Sequence, residues 1–169
     1  MIIRPEEPRD VPGIHDVVAL AFGQPAEAKL VDALRGSEHW IPELSLVAED
    51  DGRVVGHVLF THMKVRDGAR AHAALALAPV AVHPSQQSSG IGSRLVREGL
   101  ERAKALGHGV VIVLGHPTYY PRFGFQPAGP YGIRYVEPGH EAAFMVIELA
   151  PGALDGVRGV TEYAPAFGV

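Results

Sequence analysis

The chain has 169 residues, of which 47% are hydrophobic and 20% are charged, so it is long enough for one well-buried core and too short for two comfortable domains. The absence of cysteine excludes a disulfide framework, a thiolate metal site and a cysteine nucleophile. A net charge of −4 without a Lys/Arg cluster argues against nucleic acid as a partner.

Targeting and metal signals are also missing. The first seven residues lack a basic start followed by an apolar stretch, and no apolar run approaches membrane-spanning length, so we expect a cytoplasmic protein without membrane contact. Among nine histidines, His57 and His62 are an odd number apart and should face opposite sides of one strand. Since no H-E-x-x-H spacing occurs either, no metal site is expected.

The N-terminal third predicts a strand and two helices. A short strand at residues 1–4 is stopped by Pro5, and Asp10 is placed to cap a helix. That helix carries apolar residues at helical spacing, namely Ile14, Val17, Val18, Ala21 and Phe22. A second helix is predicted over residues 25–34, closed by Gly36.

The middle of the chain predicts an antiparallel meander. Strand-like runs at 44–49 and 54–65 are separated by Asp50-Asp51-Gly52, a hairpin signal because glycine tolerates positive φ. A second turn at Gly68 returns the chain into the run 72–82.

A helix is predicted over 91–106, with Gly107 at its end. The continuous apolar segment 110–114 suits a strand buried on both faces, and the preceding helix permits a crossover to a parallel neighbour, so the sheet should be mixed. Closing strands are predicted at 125–128 and 142–149.

The turn between the run 75–82 and the third helix is rich in glycine, with Gly90 and Gly92 expected to let the main chain curl. The first amides of a helix lack intrahelical acceptors and face the positive end of its dipole, so this turn can bind a phosphate. Taken alone it could equally be a simple connection. A P-loop is excluded because Ser93-Arg94 follows Gly92.

Three motifs in order carry a family resemblance: Val80-Ala81-Val82-His83-Pro84, then Gln87 to Gly92, then Tyr119 to Phe125. The chain resembles the GNAT superfamily of acyl-CoA-dependent N-acetyltransferases, of the bacterial type that uses acetyl-CoA. The resemblance covers most of residues 1–149 and implies an α/β fold: a mixed, mostly antiparallel central sheet flanked by helices, with a splayed cleft between two central strands. The tail, 150–169, lies outside it and packs on the domain or on a partner subunit, so a homodimer is one expectation.

The resemblance implies roles for these motifs. Backbone groups of the 80–82 segment should bond the pantetheine arm of acetyl-CoA, and amides of the glycine-rich turn should take its pyrophosphate. The expected coenzyme-binding residues are Val80, Ala81, Val82, Gln87, Ser88, Ser89, Gly90, Ile91, Gly92 and Ser93. Pro84 should stop the strand, leaving an N–H near Val82 or His83 to face the thioester oxygen.

Tyr120 matches the family position whose phenol faces the coenzyme sulfur, and is the expected general acid. Its reference pKa of about 10 keeps it protonated at neutral pH. The general base is less evident, because segments 80–82 and 110–114 carry no carboxylate. His116 is the first candidate, with Glu49 and His83 behind it.

The predicted function is acetyl transfer from acetyl-CoA to an amine acceptor by direct attack in a ternary complex. The acceptor is a small molecule or a peptide, and regions 24–40 and 131–140 should select it. The alternatives are a non-catalytic acyl-CoA-binding sensor or regulatory module, and a scaffold without a ligand. The expected core includes Leu75, Ala76, Val80, Ile91, Leu95, Val111 and Val113, with Phe123 or Phe125.

Overall fold

The computed structural model describes all 169 residues. The helices are α1 (Val11–Phe22), α2 (Ala26–Arg35) and α3 (Ile91–Ala105). The strands are β1 (Ile2–Pro5), β2 (Ser45–Asp50), β3 (Arg53–Asp67), β4 (Arg70–Val82), β5 (Val110–Leu114), β6 (Gln126–Pro127), β7 (Ile133–Arg134), β8 (Phe144–Glu148) and β9 (Gly159–Glu162). Residue contacts divide the chain into a first unit, 1–61 with 78–102, and a second unit, 62–77 with 103–169.

In the first unit, β1, β2 and β3 pair antiparallel in that order. The β2–β3 register shifts by one residue, because Ala48 lies opposite Gly56 while Glu49 lies opposite Val54. Val55 is therefore the extra residue of a β-bulge.

The bulge decides which side chains of β3 face which helices. Before it, Val54 meets α1, since a Cβ on Gly13 would lie 3.2 Å from Val54 Cγ2. After it, Gly56 and Phe60 face α3: a Cβ on Gly56 would lie 2.9 Å from Leu95 Cδ1, and the Phe60 ring lies against Gly99. Because side chains alternate along a strand, His57 and Leu59 point to the opposite face, away from α3.

The predicted cap of α1 is wrong. Asp10 precedes the helix but gives it no side-chain cap. Its carboxylate accepts hydrogen bonds from the Arg4 guanidinium at 2.7 and 3.0 Å and from the Glu7 N–H at 2.7 Å. A bidentate arginine is the stronger partner for a buried carboxylate.

In the second unit, β4 and β5 pair in parallel at Leu75↔Val111 and Ala76↔Ile112, so the predicted parallel neighbour is confirmed. Strand β8 pairs antiparallel with β5 and β6. Strand β9, from the tail, pairs antiparallel with β3 of the same chain at Lys64↔Glu162 and in parallel with β7. The pairing is thus mixed and mostly antiparallel, and the predicted fold class is confirmed.

Most of the predicted core is buried: Leu75, Ala76, Ile91, Leu95, Val111, Val113 and Phe125 are each at most 6% exposed. Val80 is half-buried, so its assignment to the core is wrong, because strand alternation sends the neighbouring Ala81 inward instead. No helix has the combination of length and apolar character needed to cross a membrane.

Candidate active site

The C-terminal end of β4 forms the first part of the candidate site. The strand stops at Val82, just before Pro84, as predicted, and a 3₁₀ turn follows at Pro84–Gln86. The N–H of His83 donates to the Val55 carbonyl at 2.8 Å, so this amide belongs to the sheet and is not a donor for a thioester oxygen. Main-chain groups alternate between the two edges of a strand, so the amides of Val82 and Val80 point to the edge away from β3.

The glycine-rich turn after the strand is exposed from Gln87 to Gly90. Ser88 and Gly90 have φ of 63° and 87° and make the curl. Gly92, which the sequence predicts to share in it, already lies within α3. Two side chains of the turn stabilise it, because Gln87 Nε2 donates to the Val82 carbonyl at 3.1 Å and the Ser89 hydroxyl donates to the Gln86 carbonyl.

Helix α3 begins directly after this turn, and the preceding residue, Gly90, has no side chain with which to cap it. The carbonyl of Gly90 accepts from the Arg94 N–H at 3.1 Å, which is the first bond of the helical ladder. The amides of Ile91 and Gly92 therefore lie before the ladder, and Gly90 has no side-chain oxygen to satisfy them. An uncapped N-terminus with its positive dipole end suits an anion.

The second unit carries the tyrosine motif after β5. The Gly115 N–H donates to the Ala143 carbonyl at 2.9 Å, which continues the β5–β8 pairing beyond Leu114. The His116 carbonyl accepts from the amides of Tyr119 and Tyr120 at 3.1 and 3.4 Å and so closes the turn. The 3₁₀ helix Tyr120–Phe123 follows.

Tyr120 is packed on three sides and only 9% exposed. Its ring stacks edge-on against Tyr119 and Phe125, at centroid distances of 5.1 and 5.7 Å. The remaining side is formed by Gly115, where a Cβ would lie 2.9 Å from Tyr120 Cδ2. Tyr119 also contacts Phe123 and the Arg122 guanidinium, so its ring packs within the motif.

Burial raises the pKa of Tyr120 to about 12, with a smaller contribution from Tyr119. The phenol is therefore protonated throughout the neutral range and can give a proton but not take one.

The three candidates for the base differ in their surroundings. His116 contributes its main-chain carbonyl to the turn that carries Tyr120. Glu49 is half-buried and ion-paired with Arg4 at 3.3 Å and with Arg9 at 3.8 Å. His83 Nδ1 accepts from the Ser85 amide at 3.1 Å, so in the neutral ring the proton is on Nε2 and no lone pair is left for a substrate.

Glu49 and His83 line one cavity of about 420 Å³ in the first unit, together with residues of α1 and the β2–β3 hairpin. No group of three or more His, Cys, Asp or Glu side chains has the geometry to hold a metal ion.

Sequence reasoning does not single out Gly115. The available signal is its position directly after a buried strand and five residues before the motif tyrosine. Only the folded turn reveals that the ring returns onto this glycine.

The chain is similar to known acetyltransferases in sequence and in fold. A family model described as an acetyltransferase (GNAT) domain matches residues 2–128. YhbS, an uncharacterized N-acetyltransferase of Escherichia coli (strain K12), is 41% identical over 168 residues, covering 99% of this chain and 98% of the relative.

Two solved structures are similar over nearly the whole chain. The crystal structure of E. coli YhbS in complex with CoA has a TM-score of 0.92 at 39% identity, covering 99% of this chain and 92% of that one. A GNAT family acetyltransferase from Brucella melitensis in complex with acetyl-CoA has a TM-score of 0.80 at 33% identity, covering 98% and 97%. The chain belongs to the GNAT family of N-acetyltransferases and is an acyltransferase.

Proposed function

We propose that the protein binds acetyl-CoA and transfers its acetyl group to an amine acceptor by direct attack in a ternary complex. The observation that carries the proposal is the uncapped start of α3: the amides of Ile91 and Gly92 precede the helical ladder directly after an exposed turn. Those amides offer the pyrophosphate unsatisfied donors at the positive end of a helix dipole. The relatives solved with CoA and acetyl-CoA support the same donor.

The pantetheine arm would lie along the free edge of β4, where the Val80 and Val82 amides point away from β3. Strand β4 pairs with β5 at Leu75 and Ala76, and Val80 and Val82 lie beyond this pairing. A thioester whose oxygen meets the Val82 N–H would have its carbonyl polarised toward attack.

Tyr120 would protonate the departing thiolate. Its buried phenol keeps its proton well above neutral pH, and its position in the Tyr-Pro-Arg-Phe-Gly-Phe motif matches that role. His116, Glu49 and His83 remain predictions for the base, with the contacts given above. The acceptor would be selected by residues 24–40 and 131–140.

The test of donor binding uses two substitutions that differ in charge alone. Gly90→Asp and Gly90→Asn both place a short side chain at the start of α3, and both residue types tolerate positive φ. We expect the aspartate to weaken acetyl-CoA binding at least roughly tenfold more than the asparagine, with the gap shrinking at high salt. Equal affinities by calorimetry would contradict a pyrophosphate at this turn.

The test of transfer is release of free thiol from acetyl-CoA with a panel of amines. Tyr120→Phe should lower kcat roughly a hundredfold while leaving acetyl-CoA affinity unchanged. Unchanged kcat would remove Tyr120 from the mechanism. Binding of acetyl-CoA without turnover by any amine would favour the sensor interpretation.

A further inference from the structure

A buried polar cluster in the first unit joins three elements. Glu6 follows β1, Ser45 begins β2 and His57 lies in β3, and the side chains of all three are at most 8% exposed. The Ser45 hydroxyl donates to Glu6 Oε1, and Ser45 Oγ lies 2.9 Å from His57 Nε2. Arg35 of α2 holds the other carboxylate oxygen, with Nε donating to Glu6 Oε2 at 2.8 Å.

These contacts fix the tautomer of His57. An ionised carboxylate only accepts hydrogen bonds, so the single hydroxyl proton of Ser45 points to Glu6. Ser45 Oγ is then an acceptor toward His57, and Nε2 must carry the proton of the neutral ring. His57 Nδ1 is consequently a bare lone pair, and this atom is buried without any hydrogen-bond partner.

A buried acceptor without a hydrogen-bond donor costs about 1–3 kcal/mol, so a donor that reached His57 Nδ1 would be bound favourably. Burial lowers the pKa of His57, and Arg35 lowers it further, although Glu6 raises it. The ring is therefore neutral near pH 7. An imidazolium formed there would have Glu6 Oε1 3.8 Å from Nε2 to balance its charge.

His57 lies next to the strand segment proposed for the donor. The His83 N–H bonds the Val55 carbonyl, and strands β3 and β4 run antiparallel through a short turn, so His57 lies beside Ala81. A Cβ on Gly56 would lie 3.3 Å from the Ala81 oxygen, which agrees with this alignment. Directly opposite residues share a face, so the imidazole stands beside the small, buried methyl group of Ala81.

We propose that Glu6, Ser45 and His57 form a relay whose His57 Nδ1 takes the proton of the acceptor amine, directly or through one water. This proposal rests on the proposed function. In the relay, Glu6 of the N-terminal segment provides the carboxylate that β4 and β5 lack. His57 thus becomes the proton-accepting residue, ahead of His116, Glu49 and His83.

The proton balance is complete. The acceptor ammonium gives one proton to Nδ1, and the freed nitrogen lone pair attacks the carbonyl carbon of the thioester. The C–S bond breaks with its electron pair on sulfur, and the thiolate takes a proton, which the Tyr120 phenol supplies. The second amine proton restores that phenol through solvent, and the imidazolium proton leaves to bulk water. The products are the amide, the free thiol and one proton.

The kinetic test compares benzylamine with aniline as acceptors. An alkylamine is mostly protonated near neutral pH, whereas an aromatic amine is already a free base, so only the alkylamine must lose a proton before it can attack. We expect His57→Gln to lower kcat for benzylamine at least a hundredfold and for aniline less than tenfold, with unchanged acetyl-CoA affinity. Ser45→Ala should act in the same direction.

Thr61→Val is the matched control, since Thr61 is fully buried on the same face of β3 and its hydroxyl also has no partner. It should leave both rates unchanged. Equal losses with the two amines, or no loss, would overturn the relay.

A second measurement needs no acceptor and so separates this proposal from the proposed function. Nitrogen NMR of the full chain with labelled histidine should show His57 neutral, with the proton on Nε2 and Nδ1 unprotonated. A neutral ring protonated on Nδ1 would refute the relay even where neither amine is acetylated or the His57 variant fails to fold.

Discussion

The ring of Tyr120 occupies the space that a side chain at position 115 would need, since a Cβ on Gly115 would lie only 2.9 Å from Tyr120 Cδ2. The absence of a side chain at Gly115 therefore allows the Tyr120 ring to pack directly against the main chain at this position.

Gly115→Ala should displace the Tyr120 ring and misplace its hydroxyl. Because small misplacements of a reacting group are costly, we expect kcat to fall roughly tenfold to a hundredfold with unchanged affinity for acetyl-CoA. Gly129→Ala is the matched control, since nothing lies within 4 Å of its Cβ position. Equal kcat in the two variants would show that the ring adjusts without consequence.

Gly99→Ala should destabilise the fold by about 2 kcal/mol, because a methyl group there would overlap the Phe60 ring where α3 packs on β3. Adding Phe60→Leu should recover part of that loss, since the shorter side chain vacates the contact. Urea unfolding of both variants and of Phe60→Leu alone measures the coupling. Strictly additive losses would contradict direct contact as the cause.

Acid should release the contribution of Glu6 to stability. Burial by itself would raise the pKa of Glu6, but the nearby His57 ring and hydrogen bonds from Arg35 and Ser45 outweigh it and lower the pKa from 4.5 to about 2. A carboxyl with a lowered pKa stabilises the fold above its unfolded pKa, and this contribution is lost as the pH falls from about 4.5 to about 2. Glu6→Gln should flatten the stability curve over that interval, and an unchanged acid slope would assign it to other groups.

Gly159→Ala should loosen the tail. Gly159 has φ of 129°, and a Cβ there would collide with the Arg66 carbonyl, whose carbon would lie 2.6 Å away. We expect a loss of more than about 2 kcal/mol and faster hydrogen exchange in β9 and the paired part of β3. Gly156→Ala shares the positive φ but meets nothing within 4 Å, so it should cost about 1 kcal/mol. Similar losses in the two variants would mean that backbone strain, not the collision, matters.

Regular elements with strong periodicity could be predicted from the sequence. Strand β5 agrees with the predicted range 110–114, and α3 ends one residue before its predicted last residue. Strands β7 and β9 could not be predicted, because β7 has two residues and β9 follows a segment rich in glycine and proline whose partner, β3, is about 95 residues away.

The candidate site divides in the same way. The glycine-rich turn and the tyrosine motif are local in sequence and can be identified there, although Gly92 is helical and the curl falls on Ser88 and Gly90. The Glu6, Ser45 and His57 cluster joins side chains up to 51 positions apart, so no local pattern could reveal it. The sequence raises His57 only as a possible metal ligand, and its full burial, beside an exposed His62, confirms that the two side chains differ in environment.

The bulge at Val55 is a place where β3 can change its length without exchanging its faces. Removing this one residue would leave Glu49 opposite Val54 and Ala48 opposite Gly56 as consecutive regular pairs, so every later side chain of β3 would keep its face. A one-residue deletion between Gly56 and Phe60 would instead turn Phe60 away from Gly99 and the face that packs on α3. Evolution or engineering can therefore vary the length of the β2–β3 hairpin up to Val55, whereas the regular part of the strand after Gly56 must keep its length.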